Sequence, residues 1–349
     1  MTSEPLVIVT GAAGWLGRRL VDVLANGLPG HPELERARRV RALVLPGEET
    51  LGSDAVEVVR GDLRERATCD ALVAGARGAT LYHTAGVIHP RRVRDFFSIN
   101  VEGARTLLDA AGEAGVRRAV MVSSNSPVGA NPSPEHRFDE DSPYHPYLGY
   151  GRSKMQMELL AREAHARGRL ETVLIRPPWF YGPYQPPRQT LFFEMIRDGK
   201  GPVVGGGENR RSMAYLDNLC QGLLLAAMTP RAAGRTYWIA DDEPYTMNQV
   251  LDTVERLLEG EFGIPCAHRR LRLPGLASKV AYLMDATLQS LGLYHQKLHV
   301  LSEMNQTIAC SVERAKAELG YRPDVALEEG MRRSLAWCID QGLLARGSR

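Results

Sequence analysis

The segment Thr10-Gly11-Ala12-Ala13-Gly14-Trp15-Leu16-Gly17 constrains this chain more than any other. It follows directly on Leu6–Thr10, an apolar, β-branched run of the kind that is buried on both faces of a sheet. Beyond it, Leu16, Leu20, Val23 and Leu24 share one face of a helix expected over Trp15–Leu28. Small residues at Gly11, Ala13, Gly14 and Gly17 let the backbone turn tightly and let a ligand come close to it. The helix start, with Trp15 and Leu16 in its first turn, offers free N–H groups and the positive end of its dipole to an anion. Strand, glycine turn and helix in that order predict a dinucleotide pyrophosphate at Gly11–Gly17.

The rest of the N-terminal half continues the alternation. Strands are expected over Val40–Leu45, Val56–Arg60, Thr80–Thr84, Arg118–Ser123 and Thr172–Arg176, and long helices over Asn100–Ala114 and Tyr150–Arg167. This order predicts an α/β fold, a Rossmann-type doubly wound parallel sheet with right-handed crossovers. After Arg176 the texture changes: Pro177, Pro178, Pro183, Pro186 and Pro187 crowd together, then Gly205–Gly207. Helical patterns follow over Asn248–Leu258, Gly275–Leu291, Val312–Leu319 and Leu327–Gln341. The 349 residues accordingly divide into a dinucleotide-binding Rossmann domain, 1–176, and a smaller, mainly helical substrate-binding lobe, 177–349, partly interleaved with the first.

A net charge of +2 gives no basic stripe for nucleic acid, and Arg36, Arg38, Arg39 and Arg41 read as a solvated helix end and strand start. The five cysteines, Cys69, Cys220, Cys266, Cys310 and Cys338, are scattered without a C-x-x-C pair. That pattern predicts free thiols in a reducing compartment, without disulfides or zinc. His83 and His89 are too isolated to suggest a metal. The first strand begins by Leu6, leaving no room for a signal peptide, and an apolar run such as Leu223–Met228 is far too short to span a bilayer. A soluble, cytoplasmic protein with a small-molecule substrate is expected.

Tyr150-Gly151-Arg152-Ser153-Lys154 carries the chemistry. Tyrosine and lysine four apart share a helix face one turn apart. A phenol with an ordinary pKa of about 10 is a poor base at neutral pH. A nearby ammonium and an oxidised nicotinamide ring stabilise the phenolate, so that it can take the proton of a secondary alcohol while hydride leaves. The fifth strand ends Val122-Ser123-Ser124-Asn125-Ser126, at the sheet edge where ligands bind in open α/β folds. Ser124 is assigned to the substrate oxygen, Ser126 is the second choice, and Ser123 reads as a strand-end hydroxyl. Asp62 after the third strand suits the adenine amino group or a helix N-cap, and Ala85 and Gly86 are small enough for a cofactor to lie across them. After the second strand, Leu45-Pro46-Gly47 gives neither the acid of an NAD site nor the arginine of an NADP site. Glu48, Glu49 and the alanine at 13 favour NAD, while Arg18, Arg19 and Arg41 keep NADP open.

These motifs together resemble the extended short-chain dehydrogenases/reductases, the class of nucleotide-sugar epimerases and 3β-hydroxysteroid dehydrogenases. The likeness is carried by Thr10–Gly17, Gly61-Asp62-Leu63, His83-Thr84-Ala85-Gly86, Asn100, Ser123-Ser124, Tyr150 with Lys154, Arg176-Pro177, Tyr181-Gly182-Pro183, Arg211, Tyr215 to Asn218 and Glu318 to Pro323. It implies that Leu63, Thr84, Ala85, Gly86 and Pro177 line the cofactor, Pro177 at the nicotinamide amide. It further implies that Lys154 holds the ribose hydroxyls and that Asn100 bends its helix and orders a relay water. The helices Asn100–Ala114 and Tyr150–Arg167 would form the seam of a homodimer. Sugar 4,6-dehydratases of the class carry Asp-Glu where this chain has Asn125-Ser126, which speaks against dehydration. Nucleotide-sugar members place asparagine where this chain has Trp179, a residue for ring stacking or for packing. Arg211 matches an arginine that such enzymes use on a diphosphate, and His145, with Tyr144 and Tyr147, is expected at the substrate mouth. The apolar helical stretch from Leu273 to Leu301 resembles the enlarged C-terminal region of the 3β-hydroxysteroid dehydrogenases, as a lid, a core helix or a dimer contact. The expected activity is redox on a secondary alcohol or ketone. The alternatives are a nucleotide-sugar 4-epimerase or ketosugar reductase and, in another class, a redox sensor that binds NAD(P) without turnover and has no use for Ser124, Tyr150 and Lys154.

Overall fold

Buried strands and amphipathic helices alternate from Leu6 onward. The computed structural model describes residues 6–34, 39–48 and 56–344; Arg36, Arg38 and Glu49 lie outside the described residues. The first half runs Leu6–Thr10 (β1), Trp15–Asn26 (α1), Arg39–Val44 (β2), Val56–Arg60 (β3), Arg66–Val73 (α2), Thr80–His83 (β4), Val93–Phe97 (α3), a π-helical turn at Ser98–Gly103, Ala104–Ala114 (α4), Arg118–Val122 (β5), Leu148–Ala166 (α5) and Glu171–Arg176 (β6). The second half adds Trp179–Tyr181 (β7), Pro187–Arg197 (α6), Gly201–Val204 (β8), Arg210–Arg211 (β9), Met213–Tyr215 (β10), Leu216–Met228 (α7), Thr236–Trp238 (β11), Tyr245–Thr246 (β12) and Met247–Gly260 (α8). It closes with Arg270–Leu273 (β13), Leu276–Ser290 (α9), Gln296–Glu303 (α10), Glu313–Leu319 (α11) and Leu327–Asp340 (α12).

The central sheet has seven parallel strands in the order β11-β6-β5-β4-β1-β2-β3. The winding reverses between β1 and β4, which opens a crevice beyond their carboxyl ends. One face is covered by apolar residues of α1, α7 and α11, the other by those of α2, α4 and α5. A third core joins α6, α8 and α12 to β7 and β10. The seventh strand, Thr236–Trp238, is absent from the sequence expectation because three residues carry no period; pairing with β6 defines it. α5 starts at Leu148 rather than Tyr150, so Tyr150 lies inside the first turn instead of opening it. Asp62 does not cap α2, whose N-cap is Glu65; its carboxylate instead accepts from the Arg64 amide at 2.9 Å in a local turn.

Candidate active site

The glycine turn is shaped by contacts that tolerate no side chain. A Cβ on Gly17 would stand 2.0 Å from the Gly11 carbonyl oxygen, and one on Gly11 would meet the Ala85 backbone at 2.7 Å. Gly11 also holds a left-handed φ of 68°. The turn is therefore pressed against the end of β4, where Thr84 Oγ1 donates to the Thr10 carbonyl at 2.7 Å and Thr10 Oγ1 bonds His83 Nδ1 at 2.8 Å. Leu16 is buried in the core, Ala13 is partly buried against the same core, Gly14 is exposed, and Leu63 is buried under the turn after β3. Trp15 spends its indole N–H on the Pro183 carbonyl at 2.7 Å, tying the turn to the segment after β7.

The catalytic candidates converge. Tyr150 and Lys154 are both buried on α5, and a Cβ at Gly86 would lie 3.2 Å from Lys154 Nζ and 3.2 Å from Asn100 Oδ1. The Ser124 hydroxyl lies close enough to the Tyr150 phenol to act on it as a hydrogen-bonding group. Ser124 Oγ accepts from the Ser126 amide at 3.2 Å and lies 3.3 Å from Ser126 Oγ. Asn100 sits in the π-helical turn Ser98–Gly103. Its amide clamps Val87 in both directions, at 2.8 and 3.0 Å, and donates to Ser153 Oγ at 3.1 Å. Pro177 follows β6 at the same edge and is buried.

Electrostatics differ from the expectation of a phenol acidified by its lysine. Burial pushes the Tyr150 phenol up to about 12, against a smaller opposing effect of the Ser124 hydrogen bond. Burial pulls the Lys154 ammonium down to about 8, partly offset by the Glu158 charge. The ammonium donates to the Val122 carbonyl at 3.0 Å rather than to Tyr150. In the protein alone, desolvation of both groups outweighs their mutual influence.

The proposed substrate residues behave differently from one another. Trp179 packs on Phe192, ring centroids 5.7 Å apart. The Arg211 guanidinium is enclosed, donates to the Glu303 carbonyl and leaves Nε without a partner. His145 is an exposed loop residue held by its amide to the Pro127 carbonyl at 2.9 Å. Sequence reasoning missed the contacts of α9 and α10 with this centre. Gln289 Oε1 accepts from the Gly149 amide at 2.9 Å, Tyr147 bonds Ser302 at 2.7 Å, and Tyr294 bonds His89 at 2.7 Å. It also missed Arg188 on α6, whose charge acts on Tyr150 and Tyr294. Hydrogen bonds across 140 residues or more, and a charge reaching in from another lobe of the fold, leave no local signature that could have announced them.

A family model described as the NAD dependent epimerase/dehydratase family matches residues 7–240. The chain is 54% identical over 344 residues to an uncharacterized Sinorhizobium fredii protein, y4nL, covering 97% of each. It is 30% identical over 361 residues to 3beta-hydroxysteroid-dehydrogenase/decarboxylase isoform 1 of Arabidopsis thaliana, covering 95% of this chain and 79% of that one. The crystal structure of UDP-glucuronic acid 4-epimerase from Bacillus cereus in complex with NAD superposes with a TM-score of 0.75 at 19% identity, over 97% of this chain and 100% of that chain. At that identity the likeness is one of fold.

Proposed function

The chain belongs to the NAD dependent epimerase/dehydratase family, and from that premise we propose that it is an NAD-dependent dehydrogenase or reductase interconverting a secondary alcohol and a ketone, of the 3β-hydroxysteroid dehydrogenase-like branch. The single observation that carries this reading is the burial of Tyr150 beside Ser124, on the same helix that brings Lys154 against Gly86 at the open edge of the sheet.

The glycine turn fits a dinucleotide. α1 is capped by Gly14, with no capping side chain and no acid in its first turn, so the amides of Trp15, Leu16 and Gly17 are free for a pyrophosphate. Glu48 folds back onto the Leu45 amide at 2.8 Å, setting a carboxylate after β2 that suits a ribose hydroxyl and opposes a 2′-phosphate. Arg19 is committed to Asp22 and Asp217, and Arg41 to the carbonyls of Leu72 and Ala74. These commitments favour NAD over NADP. Asp62 and Leu63 are assigned to the adenine end, Thr84 to Gly86 and Pro177 to the nicotinamide end.

NAD, when bound, supplies the hydride carrier and a positively charged ring beside the phenol. Ser124 Oγ holds the substrate oxygen, Tyr150 Oη takes or returns its proton, and Lys154 Nζ holds ribose hydroxyls. Asn100 fixes Val87 and Ser153 on either side of the lysine. Asn125 and Ser126 offer no carboxyl group for dehydration. Trp179 is occupied in packing and Arg211 by a carbonyl, which weakens a diphosphate-sugar reading. The α9–α10 segment packed beside Tyr150 and the Arabidopsis relative favour an apolar alcohol. The α4–α5 face, where Leu159 is exposed, is the proposed seam of a homodimer.

The test is to follow NADH at 340 nm while offering sterol-like alcohols and UDP-sugars, alongside thermal shifts with NAD and NADP. Alcohol-dependent NADH formation and selective stabilisation by NAD are expected. Sugar conversion without net NADH would establish the epimerase instead.

A further inference from the structure

α9 is built inside out. Its buried residues are Ser278, Ala281, Asp285 and Gln289, small or polar, and their needs are met internally. Gln289 receives the Gly149 amide, Asp285 Oδ2 pairs with His299 Nδ1 at 2.8 Å, and Ser278 Oγ donates to the Leu301 carbonyl at 2.9 Å. At helical spacing, Leu276, Val280, Leu283, Met284 and, just past the end, Leu291 fall in a stripe about 100° wide on the opposite face. That stripe faces solvent: Leu276 and Leu283 are each 66% exposed and Leu291 71%. An ordinary surface helix turns its apolar stripe to the core.

Leu271, Leu293 and Val300 are exposed as well, and with Tyr282, whose ring leans on Tyr147 at the inner side, nine of the sixteen large apolar side chains exposed among the described residues lie within 271–300. Apolar exposure on this molecule is thus concentrated on one segment, the mark of an interaction surface. Its charge pattern narrows the partner. Residues 269–300 carry Arg269, Arg270, Arg272, Lys279 and Lys297 against one carboxylate, Asp285, which is buried on the inner face. Arg270 is tied to Asp252 and Glu255, while Arg269, Arg272, Lys279 and Lys297 are exposed. Arg91 and Arg92 add exposed charge at the other end, where Arg92 bridges Leu293. A two-fold contact of this face with its own copy would set like charges against each other. An apolar stripe rimmed by cations suits an anionic bilayer, with acyl chains meeting the leucines and headgroups the lysines and arginines.

We propose that residues 271–300 dock the protein on an anionic lipid surface, α9 lying in the plane of the interface with its leucine stripe buried. No described helix is long and apolar enough to cross a membrane, so the contact is peripheral. The docking rests on the outer face of α9 alone. Its use, delivery of an apolar alcohol across one helix diameter, about 10 Å, to Tyr150, rests on the function proposed above.

The experiment is co-sedimentation of the full chain with phosphatidylcholine vesicles, with and without phosphatidylglycerol, at low and high salt. Wild type should bind the anionic vesicles at least about tenfold more than the neutral ones and be released by salt. The double variant Leu276→Ser/Leu283→Ser and, separately, Arg272→Glu/Lys279→Glu should each lose binding about tenfold or more while keeping the wild-type thermal shift with NAD. Failure of wild type to bind, or binding unchanged in both variants, overturns the proposal. So does a wild-type dimer, seen by light scattering, that the leucine variant dissociates, because a second copy would then own the face. Alcohol turnover by these variants in detergent-free buffer is scored separately, so loss of docking and loss of the oxidoreductase reading are distinct results.

Discussion

Tyr150 is held protonated by its burial, and the base role proposed for it depends on positive charge brought close to it. Tyr150→Phe should therefore keep NAD binding and lose turnover by roughly 10²–10⁴-fold. Near-normal turnover, measured as NADH formed under saturating substrate, would remove the phenol from the chemistry. Lys154 gives a stability signature of its own. Its folded value of about 8 lies below the value of about 10.4 for an unfolded lysine. Between those values the unfolded chain binds the extra proton, so this group makes stability rise with pH. Lys154→Met should abolish that component: relative to wild type, its urea midpoint should be more favourable at pH 7.5 than at pH 9.5. A difference independent of pH would show that the lysine is not desolvated. Both residues were legible in the sequence through their spacing. Their protonation was not, because the burial that sets it comes from α3, β5 and the C-terminal helices, none of which the Tyr-x-x-x-Lys spacing reports.

At the scale of elements, the βα turn is the part where sequence and structure agree most closely. β1 has the expected limits, and α1 begins at Trp15 and stops two residues early, where Gly27 turns to a φ of 90°. Gly17 packs on the Gly11 carbonyl without room for a methyl group. Gly17→Ala should consequently destabilise the protein by about 2–4 kcal/mol, through displacement of the turn, and abolish the NAD-induced thermal shift. Retention of that shift would mean the turn can move without harm. α5 was less legible. Leu148, a leucine with a left-handed φ of 48°, starts the helix two residues into what local pattern marks as loop. Such a conformation costs about 1–3 kcal/mol and is sustained by bonds from neighbouring residues to distant partners, Tyr147 N to Ser126 O and Gly149 N to Gln289.

Across the whole molecule, one buried network joins the sheet to α5. Glu158 accepts from Arg176 at 2.9 and 2.7 Å, from Ser123 Oγ at 2.6 Å and from Tyr144 at 2.7 Å. The pair Arg176–Glu158 is almost wholly enclosed, so loss of one charge strands the other. Glu158→Gln should lower stability by about 3–5 kcal/mol, read as a fall in the urea midpoint. A loss below about 1 kcal/mol, the worth of an exposed pair, would show that water reaches it. Ser123 thus serves as a strand-end hydroxyl, although its partner is a side chain of α5 rather than backbone. Arg118 acts similarly at the opposite end of the sheet. Expected only as a strand start, it is buried and donates to the carbonyls of Ala226, Ala227 and Thr229 at the end of α7.

Local sequence is enough to specify the alternation of strand and helix, the glycine turn and the spacing of tyrosine and lysine. Each is a local pattern, enforced by backbone sterics and by side-chain period over fewer than twenty residues. Long-range packing, in contrast, is what makes Thr236–Trp238 complete the sheet and engages Arg41 and Arg211. Packing also turns the polar residues of α9 inward to α5 and its leucines outward. Those outcomes depend on which surfaces meet across long separations, and burial, hydrogen-bond partners and charge environment exist only once they have met.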